Sequence, residues 1–174
     1  DAVYYAVYAS QDGPATWKKL KASEVKEEGV YALITSGGYA FSGIIKGGKS
    51  YFCKTQFSFN NSNIAASAPE DVCELTLKKS GDGFSMYNAK HGYLYAKKNA
   101  VENLAWQESE PSYWYYYNAG WCYKAYGAYL RAYSVTSANG YFNTCYNKSQ
   151  ADVYFAQKIS SASYTTTLGA TPTY

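Results

Sequence analysis

Histidine and methionine are almost missing: the 174-residue chain has one of each, His91 and Met86. That alone excludes catalytic and metal centres that need two or more histidines. Charge is sparse as well. Asp, Glu, Lys and Arg make up 17% of the residues and leave a net charge of +3, too weak a field to indicate nucleic-acid binding. No apolar run approaches the ~18–20 residues of a membrane helix, so no membrane insertion is expected. No stretch reads as a signal peptide. The chain starts mid-pattern at Asp1 and stops on a polar tail, as expected of a segment from a longer protein.

Tyrosine is what the chain has in excess, with 22 Tyr beside 7 Phe and 4 Trp. A hydrophobic share of 47% argues against disorder, and the length suits one domain. Strand and turn signals dominate. Gly37-Gly38, Gly47-Gly48, Asp82-Gly83 and Asn139-Gly140 can take the positive φ angles of two-residue hairpin turns, and aromatic or β-branched residues flank each of them. Lys18 to Glu28 is the one plausible helical piece. Ser23 can cap it, Glu24 suits its positive end and Gly29 can stop it, so one short helical turn is expected near residues 23–28.

A weak repeat runs through three segments, 31–41, 84–95 and 121–131. Each passes from an aromatic residue through a glycine turn to a tyrosine strand. Three hairpin units predict an all-β, compact antiparallel barrel of β-trefoil-like, pseudo-threefold form, because closure removes exposed sheet edges. The domain is expected over 15–159. Residues 1–14 read as the end strand and linker of a preceding module, and 160–174 as a Ser/Thr-rich linker or the start of the next one.

The densest aromatic stretch is Tyr113-Trp114-Tyr115-Tyr116-Tyr117-Asn118-Ala119-Gly120-Trp121. In a strand, Trp114 and Tyr116 share one face and Tyr113, Tyr115 and Tyr117 the other. A single buried face cannot absorb both sets, so either both faces are covered or several rings meet solvent. Exposed rings with a polar tip suit sugar faces or a protein partner. The expected ligand site is Trp114, Tyr116, Tyr117 and Trp121 stacking on pyranose rings, with Asn118 holding hydroxyls. A second cluster, Tyr123, Tyr126, Tyr129, Tyr133, Tyr141 and Tyr146, reads mainly as sheet stabilisation.

Four cysteines, Cys53, Cys73, Cys122 and Cys145, lack zinc-knuckle spacing, so no metal or other cofactor is expected. Pairings Cys53–Cys73 and Cys122–Cys145 are conceivable, with free or partly paired thiols favoured. His91 sits in a turn and offers a cysteine no obvious catalytic partnership. Glu108 and Glu110 read as a solvated rim rather than a glycosidase pair. The function expected is non-catalytic glycan recognition. The alternative is a structural or protein-interaction spacer.

The phrases Trp17-Lys18-Lys19-Leu20, Glu28-Gly29-Val30-Tyr31, Gly83-Phe84-Ser85-Met86, Gly92-Tyr93-Leu94, Tyr129-Leu130-Arg131, Gly140-Tyr141-Phe142 and Val153-Tyr154-Phe155 together resemble a β-barrel-like accessory domain of large secreted multidomain proteins of gut bacteria. Val3 to Ala9 resembles the last strand of a Listeria–Bacteroides-type surface repeat. These resemblances imply a secreted or cell-surface adhesion setting, with neighbouring modules of the same chain as partners. They assign no catalytic residues.

Overall fold

The computed structural model describes residues 15–98, 102–147, 149 and 151–159. The expected end strand over 1–14 and linker over 160–174 lie outside the described residues. Among the described residues there are fourteen strands and one 3-10 turn. The strands are β1 (Thr16–Leu20), β2 (Val30–Ile34), β3 (Tyr39–Lys46), β4 (Lys49–Gln56), β5 (Ile64–Ala65), β6 (Leu75–Ser80) and β7 (Gly83–Asn88). They continue with β8 (Gly92–Ala96), β9 (Leu104–Gln107), β10 (Tyr113–Tyr117), β11 (Gly120–Tyr123), β12 (Ala128–Tyr133), β13 (Tyr141–Cys145) and β14 (Tyr154–Ile159).

The protein is all-β and its pairings are antiparallel. Nine strands close a barrel in the order β2-β3-β4-β13-β12-β11-β10-β7-β6. The ring shuts where β2 meets β3 at Ile34 and β6 at Val30 and Tyr31. Strands β14, β1 and β5 extend from the far edge of β2, and β8 and β9 extend from β7. Closure pairs strand edges that would otherwise recruit other chains.

The turn chemistry acts largely as expected. Gly47 and Gly48 both take positive φ, 56° and 77°, and join β3 to β4 through the pair Lys46–Lys49. Only glycine fits at 48, because a Cβ there would lie 1.4 Å from the carbonyl oxygen of Glu102. Gly38 carries the positive φ of the Gly37-Gly38 turn. Two expectations shift. The β6–β7 turn uses Gly81 at φ 60°, and Gly83 already pairs with Ser80. Asn139-Gly140 does not form a two-residue turn: β12 and β13 pair Tyr133 with Tyr141 across a longer loop.

The expected short helical turn is present, slightly earlier, as a 3-10 turn over Ala22–Glu24; Lys21 rather than Ser23 precedes it, its amide donating to the Glu24 carboxylate at 2.7 Å. Lys18–Leu20 are strand, paired through Leu20–Phe155 and Lys18–Gln157 with β14. An isolated helix this short has little stability, and two inward residues, Trp17 and Leu20, gain more by pairing with the sheet.

Alternation along β2 explains where the core lies. Tyr31 and Leu33 enter the barrel core with Phe41, Phe142 and Phe155. Ala32 and Ile34 point oppositely into a second cluster with Trp17, Phe57 and Ala156. The sheet around β2 is therefore covered on both faces, and the second face adds Trp17 and Phe57 to the rings the fold buries.

Candidate functional site

Strand β10 divides its aromatic residues by the same rule. Trp114 points inward, with no exposed surface, and its indole N–H donates to the Leu94 carbonyl at 2.9 Å. The expectation that Trp114 stacks on a ligand is therefore corrected: it has no free ring face. On the outer side, Tyr115 packs on a small cluster of Cys122, Tyr129 and Cys145. Both outcomes left open for this stretch occur: Trp114 and Trp121 are buried and Tyr115 is packed on the outer side, while the rings at the strand end meet solvent.

Tyr116 and Tyr117 reach the end of the strand, where cover runs out, and are 49% and 57% exposed. Asn118 and Ala119 form the two-residue turn into β11, both with positive φ, 52° and 64°. Positive φ costs Ala about 1–2 kcal/mol relative to the right-handed region. Asn118 tolerates it better, and its side chain hydrogen-bonds Tyr129. Trp121 is 2% exposed, wedged edge-on against Phe155 at 4.9 Å and Phe84 at 6.2 Å.

Two hollows open at this end of the barrel, and Tyr116, Trp121 and Ala22 belong to both. The tighter one is about 160 Å³ and adds Leu20, Val25, Asp152, Tyr154 and Phe155 to its walls. The shallower one is about 440 Å³ and adds Ser23, Asp82 and Phe84. Tyr116 leans edge-on against Trp121 at 5.4 Å.

The five expected site residues thus separate. Tyr116 and Trp121 share the hollows, Trp121 as a nearly buried wall rather than an open platform. Tyr117 alternates to the outer face beside Tyr115, ring centroids 5.9 Å apart. Asn118 serves the turn. Trp114 is core.

Polar groups at the hollows are the Asp82 and Asp152 carboxylates, the Tyr116 and Tyr154 phenols and the Ser23 hydroxyl. Asp152 accepts from the Ser36 hydroxyl at 3.0 Å and the Ser36 amide at 3.3 Å. Lys19 reaches the Ser36 carbonyl at 3.0 Å and lies over the Tyr154 ring at 4.5 Å. Burial, helped by Asp152 and then Tyr116, pushes the Tyr154 phenol above its ordinary range. Lys124, 3.2 Å away, holds Asp82 below the usual carboxylate range. Residues 22, 82 and 152 meet only through barrel closure, so no sequence spacing signals Asp82 or Asp152 as site members.

The four cysteines are free and buried. Cys122 and Cys145 are both partners of Tyr129, two strands apart. That is about 10 Å, beyond disulfide reach. Burial pushes the Cys73 thiol up to about 12. Its sulfur lies where a Cβ on Gly43 would stand, with the edge of the His91 ring close by. His91 stacks on Trp106 at 5.3 Å and is shifted down, chiefly by burial. A thiol pushed up is the opposite of an activated nucleophile. Among the described residues no three or more His, Cys, Asp or Glu gather as a metal site, and no helix is long and apolar enough to cross a membrane.

No family model matches the chain, and no curated protein matches it significantly.

Proposed function

We propose that this domain is a non-catalytic extracellular binding module that takes a neutral sugar chain at the barrel end. One observation carries the reading: the half-exposed Tyr116 stands between two adjoining hollows that share Trp121, with Asp152 at one and Asp82 at the other. A ring gives a pyranose an apolar surface, and carboxylates accept from its hydroxyls. An acid catalyst needs a carboxyl held up, whereas Lys124 holds Asp82 down. The resemblance to secreted accessory domains supports the extracellular setting.

A trefoil-like pseudo-threefold arrangement belongs to the same proposal. In its favour, the three repeat segments coincide with the hairpins β2–β3, β7–β8 and β11–β12. Burial of Trp114 and Trp121 favours a second reading, a spacer whose aromatic residues serve only its own core.

Affinity electrophoresis through a panel of neutral polysaccharides separates the two. The binding reading expects at least one polymer to retard the wild type, and Tyr116→Ala to weaken that retardation about tenfold, in line with one stacked ring. Mobility unaffected by every polymer, or equal retardation of wild type and Tyr116→Ala, leaves the spacer reading.

A further inference from the structure

A separate tyrosine row crosses the outer wall of the barrel, away from the β10–β11 turn. Tyr133, Tyr141 and Tyr51 are direct neighbours on β12, β13 and β4. Tyr133 stacks on Tyr141 at 5.2 Å, and Tyr141 meets Tyr51 edge-on at 5.6 Å. Tyr51 and Tyr133 are 53% and 47% exposed. Sheet stabilisation accounts for the contacts between rings but not for leaving two of them half in water.

Two residues along the same face lies a row of donors. Arg131 pairs with Asn143 across β12 and β13. The register of Phe142 with Ser50 brings Lys49 beside Asn143 on β4. The guanidinium lies over the Tyr133 ring at 5.2 Å, and the Lys49 ammonium over the Tyr141 ring at 4.8 Å. Asn143 is fully buried. Its Oδ1 accepts from Arg131 Nε at 2.8 Å, while its Nδ2 is a buried donor with no partner. Buried amides are nearly always satisfied, so an orphan donor between two cations marks a missing acceptor. Lys49 already holds one carboxylate, Glu102, at 3.1 Å, with the Glu102 side chain 42% exposed.

We propose that this face binds an acidic sugar. The carboxylate or sulfate sits between Arg131 and Lys49, above the buried Asn143 amide, and the sugar body lies on the exposed surface of Tyr51 and Tyr133. Two cations and an orphan amide N–H face a single carboxylate, Glu102, so the row keeps a net positive charge that favours an anion. Strands β4, β13 and β12 each have a strand neighbour on both sides, so this face meets a ligand chiefly through side chains. Half-exposed rings beside cations suit a ring-shaped anionic ligand. Glu102 occupies Lys49 as an internal competitor and must yield to the ligand.

The test is electrophoresis of the full chain through gels carrying polygalacturonate, dextran sulfate or uncharged dextran. The two charged polymers distinguish a carboxylate from a sulfate ligand. Retardation by at least one of them and not by dextran is expected, weakening as salt screens the contacts. Tyr51→Ser with Tyr133→Ser leaves the charge unchanged and is expected to weaken it about tenfold. Arg131→Gln weakens it too, and Glu102→Gln strengthens it by removing the competing carboxylate. Tyr116→Ala has no effect, so this site and the barrel-end site fail independently. The proposal is overturned if neither charged polymer retards the chain or if the two serine substitutions change nothing, which is ion exchange. It is equally overturned if polyglutamate retards the chain as strongly as the polysaccharides.

Discussion

Replacing Trp114 with Phe tests the division of β10 into a core side and an open end. The indole is fully buried, and its N–H donates to a buried carbonyl at 2.9 Å. Phe keeps one ring but loses the donor and several ring atoms. Leaving a buried acceptor without its partner costs about 1–3 kcal/mol. Complete truncation of a core Trp costs ~3–5 kcal/mol, so Phe should cost about 2–3 kcal/mol in all, somewhat below full truncation. In a urea titration followed by far-ultraviolet circular dichroism, the midpoint should fall with no change in slope. The melting temperature of a chain this size should drop by roughly 5–10 °C. Sugar binding by the folded fraction should stay as in the wild type, because Trp114 touches neither hollow. An unchanged midpoint with lost binding would falsify this assignment and return Trp114 to the ligand surface.

Three further outcomes follow from local geometry. Ala119→Gly relieves the positive φ of 64° and should raise stability by about 0.5–1 kcal/mol after the extra freedom of Gly in the unfolded chain is deducted; a lower urea midpoint contradicts the strain. Tyr31→Phe removes the hydroxyl that donates to the Lys26 and Glu28 carbonyls at 2.8 and 2.9 Å; a loss of about 1–2 kcal/mol is expected in the same titration. Burial raises the Cys73 thiol from 9.0 to about 12, and the other three thiols are also raised. Above pH 9 the unfolded chain sheds thiol protons that the folded chain keeps, so stability falls as pH rises. The slope is about 1.4 kcal/mol per pH unit for each such thiol, and Cys73→Ala should flatten it between pH 9 and 12.

Much of the fold was legible because its signals are local. Glycine turns and aromatic strands announced the antiparallel sheet, and the three repeat segments became the three hairpins expected of them. The piece over 18–28 is helical only in one turn, because composition there permits a helix while Leu20 and the preceding Trp17 gain more by lying against β14. The β12–β13 loop misled because Asn139-Gly140 is a good turn dipeptide that a longer loop does not need. Ring density pointed to Tyr116 and Trp121, which line the proposed site, but density could not tell them from Trp114, which lines neither hollow.

Taken alone, the order of residues determined an all-β barrel rich in tyrosine with almost no titrating imidazole. Composition and alternation act over a few residues and need no partner strand. Which rings meet water was decided only by tertiary structure. Barrel closure hides Trp114 and brings Asp82 and Asp152 to one mouth, while Trp17, Phe57 and Ala156 cover the second face of β2. It also sets Tyr51, Tyr133 and Tyr141 side by side. Tyr133 and Tyr141 flank one loop and could be paired from the sequence, but Tyr51 lies far from both along the chain, so only the register between β4 and β13 can place it beside them.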